Sequence, residues 1–278
     1  MKQNTQEWKN FRSLKIGSSD APSIMGIGFN TPYQLWRIKM GFEDVKENFA
    51  MKRGKNLEPF ARDEFIKKTG INVFPKVLQH KKYEWMIASL DGISLDEKHV
   101  VEIKCSGKED HSLARKGKVP EKYYPQLQHQ MAVVGIDSIS YYSFHESDSA
   151  HVRVDRDDEY IKRLIEKEFE FLRCLKEFSP PKLSDKDYVQ QNDEEWGKLA
   201  EELKKCKQEL ERNKKKEKEL LENLVAKSNG QNSVGFGIRL NKICRKGNIN
   251  YAKIPELKDI DLEQYRGSSV EYWRVSSD

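Results

Sequence analysis

The chain has 278 residues, of which 34% are charged and 37% hydrophobic, and carries a net charge of +5. That length holds one large domain, or one with an appendage, and a mean hydropathy of −0.84 leaves some segment mostly at the surface. With no long apolar run and no secretory stretch, neither a membrane span nor export is expected and the cytosol is the expected compartment; the mild positive charge is compatible with a nucleic-acid partner without requiring one.

Residues 6–14 read as a short amphipathic helix. Ile16-Gly17-Ser18-Ser19-Asp20-Ala21-Pro22 then begins a second, with Ser19 or Asp20 as cap. A helix start rich in hydroxyls, with Arg12 and Lys15 upstream, suits a phosphate as well as it suits a plain capped helix. Thr31-Pro32 opens the next helix, which ends at Gly41. Glu58-Pro59 precedes a helix from Phe60 to Gly70, where Glu58 either complements the helix dipole or adds an acidic group to a site elsewhere.

Ile71 to His80 reads as a strand feeding a pair, Met86–Leu90 and Val100–Cys105, joined by a polar turn. Alternation along the second puts Glu102 and Lys104 on one face and Val101, Ile103 and Cys105 on the other. A neighbouring strand carrying Asp91 gathers two carboxylates and an ammonium at one spot. That set suits magnesium, a hard ion satisfied by one or two carboxylates when substrate phosphate and water complete its shell. The bland alternative is an Asp-Gly turn beside a solvated Glu-x-Lys face.

Residues 107–120 form a basic loop with Lys108, His111, Arg115, Lys116 and Lys118, either contacting a polyanion or simply solvated. A helix follows over Lys122–Val134, stopped by Gly135. Its Gln126, Gln128 and Gln130 cannot all share a face, so one of them facing the site is the better expectation. Ser138–Phe144 and His151–Asp155 read as strands, and Asp157–Phe178 as an amphipathic helix. The fold class is therefore α/β, a mixed central sheet flanked by helices.

Three segments are expected: a core over residues 1–183, a charged helical arm over 184–228, and a small β-rich segment over 229–278 that packs on the core. The arm has 11 Lys+Arg against 12 Asp+Glu, so it is no basic grip on DNA. Trp196, Leu199, Leu203, Cys206, Leu210, Leu220 and Leu224 follow a heptad stagger, interrupted at Asn213 and Glu217. Ser233–Leu240 alternates as a strand and Lys242–Arg245 continues it; near the end, Tyr265-Arg266 and Tyr272-Trp273-Arg274 interleave aromatics with arginine. Four cysteines without a Cys-x-x-Cys pair argue against a zinc or iron–sulfur centre.

In order along the chain, Trp8 with Arg12 and Ile16-Gly17-Ser18-Ser19-Asp20, then Gly54-Lys55-Asn56-Leu57-Glu58-Pro59, Ser89-Leu90-Asp91-Gly92, Glu102-Ile103-Lys104, and Gln126-Leu127-Gln128-His129-Gln130 resemble the lambda-exonuclease family of phage recombination nucleases, the YqaJ-type viral recombinases. That family has a restriction-endonuclease-like core. The resemblance implies a magnesium-dependent exonuclease, with manganese as an alternative and two ions in the site. It would digest linear duplex DNA 5′ to 3′ and leave 3′ tails for a single-strand annealing protein in the cytoplasm of a phage-bearing bacterial host. It also implies metal ligation by Asp91, Glu102, Glu58 and the Ile103 carbonyl, water activation by Lys104, positioning by Gln128, and a 5′-phosphate pocket of Arg12, Ser19 and Ser89. The resemblance further implies a homo-oligomer in the form of a trimeric ring; Lys15 stands where other members often carry arginine, and the long arm, without a counterpart in the smallest members, departs from that ring pattern. The alternatives on the same residues are a structure- or site-specific endonuclease and a non-catalytic DNA-binding scaffold.

Overall fold

A computed structural model describes residues 14–44, 49–105, 107–248, 250, 254–257, 260, 265 and 267. The helix expected over residues 6–14 therefore lies outside the described residues except for Leu14, as does Tyr272-Trp273-Arg274. The chain divides into two compact units, Met1–Val189 and Gln190–Asp278. No helix among the described residues is long and apolar enough to cross a membrane.

The first unit is built on a six-stranded mixed sheet: β1 (Ile16–Gly17), β2 (Phe74–Gln79), β3 (Met86–Ile93), β4 (Val100–Lys104), β5 (Ser138–His145) and β6 (Asp148–Asp155). Ile87 pairs with Gln79 of antiparallel β2 on one edge and with Gly17 of parallel β1 on the other. At the far end of that second edge, Gly92 and Ile93 pair with Val101 and Val100 of β4. From Ala88 to Asp91 the edge between β1 and β4 carries no strand partner among the described residues. β4 then runs parallel to β5, which makes an antiparallel hairpin with β6.

Helices cover both faces. They are α1 (Ala21–Ile24), α2 (Pro32–Lys39), α3 (Phe49–Thr69), α4 (Lys108–Arg115), α5 (Tyr124–Val134) and α6 (Asp158–Lys176). Leu127 and Met131 of α5 bury against Met86, Ala88 and Leu90 of β3 and Tyr141 of β5. On the other face, Ala61 and Phe65 of α3 pack on Val101 and Ile103 of β4 and on Tyr142 and Phe144 of β5. A third cluster joins Ile16, Ile24 and Trp36 to Phe171, Leu172 and Leu175 of α6. Burial of this kind contributes roughly 1.5–3 kcal/mol per large apolar side chain, and it fixes the strands that carry the polar site.

Three local expectations are corrected. Ile16-Gly17 is extended and only afterwards turns through Ser18–Asp20 into α1, because two residues suffice to add a parallel strand to β3. Glu58 lies inside α3 rather than ahead of it, with Pro59 in the helix interior; the good helix formers Met51, Lys52, Arg53, Lys55 and Leu57 start the helix early enough, despite Gly54 and Asn56, to carry the proline's missing bond. Residues 107–120 are not a loop throughout, since α4 occupies Lys108–Arg115 with Gly107 at its cap, Glu109 and Asp110 in its first turn and Arg115 in its last, the charge order that favours a helix.

The second unit consists of α7 (Glu194–Lys227) and a small hairpin, β7 (Ser233–Gly235) with β8 (Ile238–Leu240). Asp193 caps α7, accepting from the Glu195 and Trp196 amides. The hairpin turns at Phe236-Gly237, both at positive φ, which suits a tight two-residue turn. The strand expected to continue over Lys242–Arg245 is not formed.

Candidate active site

Along β3, the gap between β1 and β4 opens into a cleft of about 670 Å3. Ile87, Ser89 and Asp91, spaced by two, present one face of β3 to it. Glu102, Ile103 and Lys104 enter from β4, Gly17-Ser18-Ser19 from the turn after β1, and Lys55 and Glu58 from α3, with Lys122 and Gln126 also lining the cleft. Five segments far apart in the sequence thus meet where one strand edge lacks a neighbour.

Glu102 is only 2% exposed, and a buried carboxylate must be paired and hydrogen-bonded. Its Oε1 accepts from Lys104 Nζ at 2.5 Å and from Gln126 Nε2 at 2.7 Å, and its Oε2 from Gln130 Nε2 at 2.5 Å. Lys104 also donates to Gln126 Oε1 at 3.1 Å and lies 5.1 Å from the centre of the Tyr123 ring. Burial pulls the ammonium's proton affinity down, but the Glu102 and Asp91 carboxylates outweigh it and hold Lys104 above the ordinary lysine range. At neutral pH it is a cation.

The β3–β4 ladder stops at Gly92–Val101, and the Asp91 carboxylate takes over, its Oδ2 accepting from the Ile103 N–H at 2.8 Å. Burial first, and the negative charge of Glu102 second, push Asp91 well above the usual carboxylate range, with Lys104 opposing. Glu58 is raised by burial too, against the Arg62 guanidinium that pairs with it. Arg62 Nε donates in addition to the Asp91 main-chain oxygen at 2.6 Å, tying α3 to the end of β3.

Two carboxylates crowded together, with the Ile103 carbonyl beside them, form an oxygen-only donor set. Cys105 lines the same cleft, but burial pushes its thiol up to about 11, so no thiolate is offered to a soft ion. Among the described residues no three His, Cys, Asp or Glu side chains come close enough to cage a metal. Magnesium asks for no such cage: one or two carboxylates suffice when substrate phosphate supplies the rest. The amide oxygen of Gln130, whose nitrogen holds Glu102, is buried without a partner, an acceptor left for water. The residues present fit a hard divalent ion shared with a phosphodiester.

The structure brings Glu58, Asp91, Glu102, Ile103, Lys104, Ser19 and Ser89 to one cleft, whereas Arg12 lies outside the described residues. It does not bring Gln128 there. Gln128 is fully buried on the opposite side of α5, donating to the Asp155 carbonyl at 3.0 Å and accepting from the Asp157 N–H at 2.9 Å. Helical geometry explains the correction: Gln126 and Gln130 are four apart and share the face towards Glu102, while Gln128, two from each, cannot. Lys15 Nζ is engaged by Gln79 Oε1 and the Glu84 carbonyl and does not line the cleft. His111 is buried against Ser143 and Asp148, while Lys108, Arg115, Lys116 and Lys118 of the basic stretch remain exposed.

Beneath β3 lies a second polar pair. His129 Nε2 meets the Ile87 carbonyl at 2.9 Å and its Nδ1 meets Glu168 Oε1 at 2.7 Å, both side chains fully buried. A carbonyl only accepts, so Nε2 carries the hydrogen. The pair anchors the residue of β3 that bonds β1, and hence the floor of the cleft.

The sheet and its flanking helices have counterparts among solved nucleases. The alkaline exonuclease LHK-Exo of Laribacter hongkongensis superposes with a TM-score of 0.55 at 28% identity, over 63% of this chain and 94% of that one; the same enzyme in complex with dAMP gives 0.55 at 27%. The fold is that of this alkaline exonuclease. Residues 7–137 match the YqaJ-like viral recombinase domain. An uncharacterised protein YqaJ of Bacillus subtilis is 31% identical over 173 residues, 59% of this chain. The chain spans about half the length of that relative.

Proposed function

We propose that the protein is a magnesium-dependent exonuclease that digests linear duplex DNA from its 5′ end, leaving 3′ single strands for an annealing protein. The observation that carries this reading is the meeting of Asp91, Glu102 and Lys104 with Ser19 and Ser89 in one cleft, a hydrolytic set beside hydroxyls suited to a terminal phosphate. Asp91, Glu102 and the Ile103 carbonyl, with Glu58 nearby, hold one or two magnesium ions, manganese substituting. A bound ion supplies Lewis acidity at the scissile phosphate and lowers the pKa of water.

The chain's own residues do the rest. Gln126 and Gln130 hold the Glu102 carboxylate in a fixed orientation, and a preoriented ligand is what separates a working site from a loose one. Lys104, held as an ammonium, orients the attacking water and stabilises negative charge building on phosphorus. Arg62 neutralises Glu58 without entering the reaction. Ser19 and Ser89, joined by Arg12, receive the 5′-phosphate, while Lys55, Lys122 and the exposed cations of α4 follow the backbone, so affinity falls with salt and ignores sequence.

The test offers 5′-phosphorylated linear, 5′-hydroxyl linear and covalently closed circular duplex of one sequence with magnesium. Preferential digestion of the phosphorylated end, with the circle untouched, is the expected result, and Lys104→Ala should abolish nucleotide release. Cutting of the circle would favour an endonuclease on this core, and no release from any form would leave only a DNA-binding scaffold.

A further inference from the structure

In the turn after β1, Ser19 is exposed while Ile16, Gly17, Ser18 and Asp20 are buried. An ion pair behind the turn holds it. Asp20 Oδ2 accepts from the Gly17 N–H at 2.8 Å and from Lys39 Nζ at 2.8 Å, and the same ammonium donates to the Lys15 carbonyl at 2.9 Å. Lys39 therefore grips the chain on both sides of Ile16-Gly17. It stands in the last turn of α2, a helix whose Leu35 and Trp36 sit in the cluster that also buries Ile16. The Lys39 and Asp20 side chains are only 7% and 8% exposed, and neither lines the cleft. A buried ion pair adds little net stability over well-packed apolar residues of similar volume, so stability alone does not account for one placed directly behind Ser19.

We propose that Asp20 and Lys39 are positioning residues that set the preference for a phosphorylated 5′ end. Asp20 fixes the turn that carries Ser19, and Lys39 cancels the negative charge that Asp20 would otherwise present to the incoming phosphate. The proposal rests on the exonuclease reading, in which Ser19 receives that phosphate. A carboxylate buried one residue from Ser19 acts through a medium of low dielectric, where like charges repel more strongly than in water, and like-charge juxtaposition at a binding surface rejects a ligand. The geometry that orders the turn needs an acceptor at Asp20 for the Gly17 N–H; its charge is tolerable to a phosphate only because the Lys39 ammonium lies against it. Neither side chain touches the phosphate, and both act through the turn.

The test compares linear duplex ending in a 5′-phosphate with the same duplex ending in a 5′-hydroxyl, on the full-length chain. Two ratios between the ends are read: kcat/KM in magnesium, and Kd in EDTA. A ratio taken on one preparation does not depend on the fraction that is folded, so loss of stability alone leaves it unchanged. Lys39→Met, which strands the Asp20 charge, should lower the preference for the phosphorylated end about tenfold, mainly through KM. Asp20→Asn, whose amide oxygen can still accept from Gly17 while the Lys39 charge is uncancelled, should raise it. The two substitutions together, neutral again, should return it to within about threefold of the wild type. Should Lys39→Met fail to fold, Asp20→Asn and the double variant still carry the test, because one is expected to raise the ratio and the other to restore it. Single variants with the wild-type ratio, a double variant as unselective as Lys39→Met, or a wild type that digests both ends alike would each overturn the proposal. A wild type that releases no nucleotide from either duplex would instead defeat the exonuclease reading, and the Kd ratios would then decide the role of the pair on their own.

Discussion

Asp91 sits where a cation is wanted, and without one it works against the fold. Burial, then the charge of Glu102, raise its proton affinity in the folded chain, so the folded state binds that proton more tightly than the unfolded state does. The sign follows: the residue's contribution to stability is fullest below the ordinary carboxylate value of about 3.9 and is lost as pH rises through the raised folded value. In the metal-free protein Asp91→Asn should therefore raise Tm by a few degrees, about 1 kcal/mol, and flatten the decline as pH rises above the ordinary carboxylate value, while abolishing nuclease activity. Melting curves in EDTA across that rise check it, and a lower Tm for the variant would show that the carboxylate stabilises the fold. The glutamines divide in the same manner. Gln126→Ala removes a donor to Glu102 and should cut kcat by about 10–100-fold in the folded fraction, beyond what its loss of about 1–2 kcal/mol in stability explains. Gln128→Ala strands the Asp155 carbonyl and the Asp157 N–H and should cost about 2–3 kcal/mol while sparing kcat in the folded fraction; the reverse pattern would return the catalytic role to Gln128.

At the level of elements the site depends on how closely β3 and β4 approach where their ladder ends. A Cβ on Gly92 would lie 2.7 Å from both Val101 Cγ1 and Val73 Cγ2, so Gly92→Ala must push β4 away from β3. That should cost about 1–3 kcal/mol in urea unfolding and lower kcat further than the stability loss alone explains, because Asp91 and Glu102 ride on the two strands. An alanine variant with wild-type kcat would mean that the spacing is not critical. The strands themselves were legible in the sequence: a period of two needs no tertiary information to put Glu102 and Lys104 on one face, and Asp91-Gly92 marks the end of a β run. The phase of α5 was not legible, because it is set by Leu127 and Met131 packing on β3, and the resemblance alone pointed to Gln128; the four-residue spacing of Gln126 and Gln130 was the available signal. The opening between β1 and β4 was hidden too, since it arises from Ile16 pairing with Met86, a contact no local pattern encodes. Likewise Glu58 read as a helix start because Pro59 follows it, when the helix already ran through both.

For the whole molecule the question is how the second unit bears on the first. Every described residue of the cleft belongs to Met1–Val189, and that unit contains all three apolar clusters. The Laribacter exonuclease points the same way, since 63% of this chain accounts for 94% of its length. A chain ended at Val189 should then melt as one cooperative transition and digest 5′-phosphorylated linear duplex with a kcat within about threefold of the intact protein, a difference of roughly 0.7 kcal/mol. Any contribution of residues 190–278 should then appear in the mean run of digestion per encounter with a DNA end rather than in kcat. Single-encounter digestion with a trap of unlabelled duplex separates the two quantities. A truncated chain that folds yet hydrolyses nothing would place part of the catalytic machinery beyond Val189, and the cleft between β1 and β4 would no longer suffice as the active site.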